Sequence, residues 1–324
     1  MLLAVGSILF GFVALIWSAN LLVVGAASIA RNLGISPLII GLTIVSLGTS
    51  APEILVSLTA SLSNAGPLAI GNAIGSNIAN IALVFGVTAL VTPLMVDERC
   101  LKREIPVLLL ATFGVGVLIL DGVLSPQDGW LMLAAMALIF VFLVLSQLGR
   151  TDQAIHSSDE PMPELRPLRA WLAFLFGLLV LILSSRLLVW GAVIVAEELG
   201  VSELIIGLTV VAVGTSLPEL AASIASALKG HTAIALGNII GSNLFNLLAV
   251  MSIPGIVGGQ LLDPEAISRD YASMTALTLF LALAIFVSAK RSKSAPQHAY
   301  IGRIMGTVLV SSYALYYYFM FSSQ

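Results

Sequence analysis

The stretch GLTIVSLGTSAPE, residues 41–53, runs through an apolar segment and ends on a carboxylate. GLTVVAVGTSLPE, residues 207–219, does the same 166 positions later. The likeness continues outward: residues 21–85 align with 187–251 at that constant offset without a gap, with roughly half of the positions identical. LGISPLIIGLT meets LGVSELIIGLT, and GNAIGSNIAN meets GNIIGSNLFN. The chain is an internal duplication, and the fold turns on why each copy carries Thr-Ser-x-Pro-Glu inside a greasy run.

Composition sets the solvent. The 324 residues are 59% hydrophobic and 10% charged, with mean hydropathy +1.07. Soluble domains carry roughly 25% charged residues. So few charges cannot cover a surface facing water, which makes this an integral membrane protein surrounded by lipid. The net charge of −3 is too small to suggest nucleic acid as a partner, and no basic cluster suggests it either. A single cysteine, Cys100, excludes an internal disulfide and a cysteine-built metal site. His156, His231 and His298 fall in polar connections, and no HExxH occurs. The first twenty residues lack a basic leader region and read as a retained transmembrane helix.

Runs long enough to cross a bilayer, about 20 residues, lie near 2–29, 36–62, 68–92, 104–121, 128–148, 169–196, 203–228, 232–258, 271–289 and 299–321. Period-2 alternation is absent, against a β-barrel. Ten segments put both termini and the connections 62–67, 122–127, 197–202 and 259–270 on one side. That side holds one basic residue, Arg269, and the other side holds twelve; Arg186 lies inside a segment. The asymmetry places the basic side in the cytoplasm and both termini outside. The expected fold is an all-α membrane protein of ten transmembrane helices in two inverted five-helix repeats, residues 1–148 and 169–324. A cytoplasmic linker, 149–168, joins them. An odd number of segments per repeat forces the inversion, the architecture of many secondary transporters with a site at the midplane.

Of seventeen acidic residues, only Glu53 and Glu219 lie deep inside apolar runs, and they are repeat mates. A buried carboxylate costs several kcal/mol unless compensated, so the pair reads as an anionic cage for a cation. Pro52 and Pro218 each remove a backbone donor, and Gly48 and Gly214 loosen the same turn. The broken turns are expected to expose carbonyls such as those of Ser46 and Ala212. Thr49, Ser50, Thr215 and Ser216 add hydroxyls. In the next segment Ser76 and Asn80 share a helix face, as do Ser242 and Asn246. Asn72, Asn77, Asn238 and Asn243 are also present, and packing hydrogen bonds explain some of them. The oxygen-rich set suits a hard cation, Na⁺, Ca²⁺ or H⁺, rather than a soft metal.

GTSAPE with GNAIGSNIAN, and GTSLPE with GNIIGSNLFN, resemble the two repeat signatures of the sodium/calcium exchangers of prokaryotic type, within the cation/calcium exchanger superfamily. The likeness covers nearly the whole chain. It implies exchange of Ca²⁺ for Na⁺ by alternating access in a bacterial inner membrane, by a monomer without a cofactor. Carried onto this sequence, the ligands are Thr49, Ser50, Glu53, Ser76, Asn80, Thr215, Ser216, Glu219, Ser242 and Asn246, with the carbonyls of Ser46 and Ala212. Many family members carry Asp where this chain has Asn246, so coupling to H⁺ or to K⁺ stays open. A cation channel is disfavoured by the inversion. Enzymatic hydrolysis is disfavoured by the lack of a metal-binding His pair or a nucleophile with an acid–base partner.

Overall fold

The computed structural model describes residues 1–97, 100, 102–146, 163–200, 210, 212–291 and 298–322. It is mostly helical. Helix α1 is Leu2–Leu33, followed by α2 (Pro37–Thr49) and α3 (Ala51–Leu62), bent 44° from each other. Next come α4 (Gly66–Val91), strand β1 (Leu94–Asp97), α5 (Glu104–Leu118), strand β2 (Val123–Leu124) and α6 (Pro126–Leu145). The second half runs α7 (Pro167–Glu198), α8 (Ala212–Thr215), α9 (Leu217–Leu228), α10 (Thr232–Gly258) and strand β3 (Gln260–Leu261). It ends with α11 (Ala266–Lys290), strand β4 (His298–Ile301) and α12 (Arg303–Ser322).

Every apolar run read from the sequence contains helix, but not every helix is a span by itself. Among the described residues six helices are long and apolar enough to cross a membrane, seven if the bent pair α2–α3 is one span. The remainder differ for physical reasons. Helix α5 has 15 residues, about 22 Å at 1.5 Å per residue. Helix α9 has 12, and the run before it, 201–209, lies outside the described residues, as does most of the linker. Helix α12 is diluted by Ser311, Ser312, Tyr313, Tyr316 and Tyr317.

The repeat mates α1 and α7 pack along each other in opposite directions. Gly11 faces Ser184 and Leu188, Gly25 faces Ala170 and Phe174, Gly177 faces Ser18 and Leu22, and Gly191 faces Ala4 and Ser7. Gly11 and Gly177 are mates, as are Gly25 and Gly191, so the crossing is symmetric. These glycines are needed: a Cβ on Gly25 would lie 2.5 Å from the Phe174 nitrogen, and one on Gly177 2.7 Å from the Leu22 nitrogen.

Contacts between connections follow a simple rule. Strand β1 pairs antiparallel with β4, Leu94 opposite Ile301, and β2 with β3, Val123 opposite Leu261. The Met1 amino group meets Glu198 at 3.0 Å. Arg31 pairs with Glu164, Asn32 donates to the Leu165 carbonyl at 3.0 Å, and Arg103 donates to the Ser146 carbonyl at 3.0 Å. Each contact joins two connections that the charge asymmetry assigns to one and the same side.

Candidate cation site

The corner between α2 and α3 is built by sequence. Pro52 has no N–H for the Gly48 carbonyl, so the helix breaks at Ser50, whose φ/ψ is −82°/4°. Pro218 has none for Gly214, and Ser216 adopts −88°/3°. The two Thr-Ser-x-Pro-Glu units thus make the same corner. Each places its glutamate in the first turn of the following helix, where the positive end of the helix favours an anion.

The carbonyls differ from the sequence expectation. Ser46 does not offer a bare oxygen: its carbonyl accepts the Ser50 N–H at 2.9 Å and the Thr49 hydroxyl at 3.4 Å. In the other copy the Ser216 N–H reaches the Val213 carbonyl at 3.1 Å, so it does not occupy that of Ala212. The carbonyl freed by Pro218, that of Gly214, accepts from the Ser185 hydroxyl of α7 at 3.0 Å. A proline frees the carbonyl four residues before it, that of Gly48 or Gly214, rather than those of Ser46 and Ala212 six residues before it.

Glu53 and Glu219 are both buried. Ser50 donates to Glu219 Oε1 at 3.1 Å. Thr49 donates to Asn238 Oδ1 at 3.1 Å and lies 3.5 Å from the Ser242 hydroxyl. Residues of the first repeat therefore close around the carboxylate of the second. Ser76, Asn80, Ser242 and Asn246 are buried too. Asn80 and Asn246 sit in wide π turns, Ala79–Phe85 and Asn246–Val250, a distortion frequent at functional sites.

Many of these buried atoms have no hydrogen-bond partner among the described residues. They are one oxygen each of Glu53 and Glu219, both amide atoms of Asn80 and of Asn246, and the Ser216 hydroxyl. Buried polar groups are normally satisfied, and each orphan costs free energy. A hard cation, with its preference for six to eight oxygen ligands in the case of Ca²⁺, would satisfy the oxygens among them.

Two amides outside the expected ligand set act on this cluster. Asn72 Nδ2 donates to the Glu53 carbonyl at 3.2 Å, and Asn238 Nδ2 donates to the Glu219 carbonyl at 3.3 Å. The identical 19-residue interval in both copies was the sequence signal. Asn243 donates to its own helix at Ile239 and Asn77 meets the Met274 sulfur, so those two do pack. Glu104 is a third buried carboxylate, in the first turn of α5 and outside the repeat signatures.

Among the described residues the two halves differ in their helix contacts. A Cβ on Gly41 would lie 2.4 Å from the Ile234 carbonyl, and one on Gly237 2.3 Å from that of Leu38, so α2 presses on α10. Gly71 and Gly75, the mates of Gly237 and Gly241, have nothing among the described residues within 4 Å of a Cβ, and most of the mate of α2, 203–209, lies outside those residues. Gly71 and Gly75 line a cavity of about 200 Å³ with Pro67, Leu262, Asp263 and Asp270.

Comparison with known proteins agrees with this geometry. The profile described as sodium/calcium exchanger protein matches residues 3–148 and 169–322. CaxA of Alkalimonas amylolytica is 44% identical over all of both chains, and the inner membrane protein YrbG of Escherichia coli is 42% identical over 87% of this chain and 89% of its own. A solved structure of the sodium-calcium exchanger NCX_Mj, soaked with Na⁺ and Ca²⁺, superposes with a TM-score of 0.81 at 31% identity over 97% of each chain. The chain therefore belongs to the sodium/calcium exchanger protein family, a family of membrane transporters.

Proposed function

We propose that this protein is a secondary antiporter that exchanges Ca²⁺ for Na⁺ by alternating access between two inverted five-helix halves. The observation that carries the reading is the buried pair Glu53 and Glu219, each with an orphaned oxygen, enclosed by hydroxyls and amides from both repeats. Two carboxylates balance the charge of one Ca²⁺. The proposed ligands are Glu53, Glu219, Thr49, Ser50, Thr215, Ser216, Ser76, Ser242, Asn80 and Asn246, with backbone oxygen from Ser46 and Ala212. The Thr49 hydroxyl is engaged by Asn238, so Thr49 would turn toward the ion only if that bond opened.

Three observations support ten crossings in two inverted halves, residues 1–148 and 169–324, joined by a cytoplasmic 149–168 with both termini outside. They are the antiparallel packing of α1 on α7, the same-side rule for contacts between connections, and the twelve-to-one basic asymmetry. In that frame α2 rises from the cytoplasmic face and shuts that approach against α10. The cavity at Gly71 and Gly75 opens on the outer face, so the conformation is one that admits ions from outside.

Hydroxyls crowd the carboxylates, which favours Na⁺ over H⁺ as the coupling ion, since protons need only the carboxylates. The test is Ca²⁺ uptake into proteoliposomes with Na⁺, K⁺ or H⁺ gradients imposed singly. Uptake driven by Na⁺ alone is expected. Uptake that follows only the proton gradient would assign the protein to H⁺/Ca²⁺ exchange instead, and a need for K⁺ alongside Na⁺ would make K⁺ a co-substrate.

A further inference from the structure

The two amides that grip the glutamate backbones are equal in one respect and unequal in another. Asn72 and Asn238 each donate Nδ2 to the carbonyl of the glutamate in their own half, at 3.2 and 3.3 Å. Asn238 does more: its Oδ1 accepts the Thr49 hydroxyl of the other half at 3.1 Å, and its Nδ2 also reaches the Ser223 oxygen at 3.0 Å. Asn72 Oδ1 accepts no hydrogen bond among the described residues, although its counterpart donor by the repeat is Thr215. The neighbouring contacts follow the same pattern. Ser50 donates to Glu219, whereas Ser216, its mate, makes no bond to Glu53 and its hydroxyl has no partner among the described residues.

We propose that Asn72 and Asn238 are positioning residues with one constant bond and one that alternates during transport. Nδ2 holds the glutamate backbone in place in both orientations. Oδ1 takes the threonine hydroxyl of the opposite half in only one. The structure has the Thr49–Asn238 bond, in the orientation where α2 presses on α10 and closes the cytoplasmic approach. The inverted repeat then gives the other orientation the bond from Thr215 to Asn72. This rests on the antiport reading above. The physical reason is that a hydroxyl–amide bond in a dry core is costly to leave unmade, so each bond biases the equilibrium toward its own orientation.

The test is sidedness, measured as the ratio of half-saturating Ca²⁺ at the outer face to that at the cytoplasmic face, in vesicles of each orientation. Apparent affinity at a face scales with the population open to it, so the ratio reports the equilibrium directly. Effects common to both faces, including any loosening of the glutamate, cancel. Asn238→Ala should raise the ratio roughly fivefold, the factor that one ordinary hydrogen bond sets in an equilibrium. Asn72→Ala should lower it by a similar factor. Asn238→Leu and Asn72→Leu, which keep side-chain volume and leave the threonines in place, should reproduce the respective shifts if an alanine variant fails to fold. Ratios that stay put, or move the same way for both halves while wild-type exchange is normal, overturn the proposal alone. Absence of Ca²⁺ exchange by the wild type overturns the transport reading and this proposal with it.

Discussion

The Ser50 hydroxyl donates to Glu219 across 3.1 Å, a side chain of the first repeat on the carboxylate of the second. The bond spans 169 residues of sequence and joins two corners that the same motif builds. It also makes the two glutamates unequal, since Ser216 makes no matching bond to Glu53. Charge-assisted bonds of this kind are among the stronger ones. Ser50→Ala is therefore expected to weaken Ca²⁺ uptake several-fold at the outer face, and Ser216→Ala to do less there. Initial rates of ⁴⁵Ca²⁺ uptake against outside Ca²⁺ concentration check this; equal effects of the two variants would count against the asymmetry.

A second prediction concerns a carbonyl that proline leaves bare. The Val250 carbonyl would bond the N–H of residue 254, but that residue is Pro254. Ser57 supplies the missing donor at 2.9 Å from α3. At the mate position, Thr88 donates its hydroxyl to Val84, so the two halves satisfy the same oxygen differently. Ser57→Ala should destabilise the protein by roughly 1–3 kcal/mol, the cost of an orphaned buried acceptor. Adding Pro254→Ala should recover part of the loss by restoring the helical donor. Thermal unfolding in detergent reads both, and a double variant no more stable than the single would show that Ser57 matters for another reason.

The glycines separate in the same way. Gly237→Ala should destabilise strongly, because its methyl meets the Leu38 carbonyl. Gly71→Ala, at the equivalent position facing the cavity, should leave the melting temperature unchanged. Similar losses from both would mean that the pressed contact of α2 on α10 is absent in solution.

Topology is tested by labelling. In a Cys100→Ser background, a cysteine at Ser63 should react with an impermeant reagent from outside, and one at Glu164 only from the cytoplasmic face. Ser63 lies in the 62–67 connection and Glu164 pairs with Arg31 on the basic side. Reaction of both from one side would remove the ten-crossing arrangement.

Most of this architecture was legible in the sequence because its causes are local and repeated. Apolar runs give helices, Pro52 and Pro218 give the corners, and a constant offset of 166 gives the mates. Glu53 and Glu219 stood out because burying a carboxylate in an apolar run is expensive. What escaped depended on which atoms meet across the halves. No sequence pattern says that Thr49 spends its hydroxyl on Asn238, that Ser46 bonds Ser50, or that Ser185 caps the Gly214 carbonyl. Nor could the repeat reveal the conformation: two near-identical glycine pairs read alike, yet one is pressed and the other faces a cavity.

The central claim is that Glu53 and Glu219 together hold the exchanged cation. The direct measurement is ⁴⁵Ca²⁺ uptake into vesicles driven by an outward Na⁺ gradient, for the wild type, Glu53→Gln and Glu219→Gln at matched protein levels. Each substitution keeps shape and removes one of two formal charges from a partly desolvated site, where attraction to a divalent ion is large. Uptake should fall at least about tenfold in both variants, since a loss of about 1.4 kcal/mol of binding free energy already gives that factor. Uptake at the wild-type rate by either variant would contradict the shared carboxylate cage.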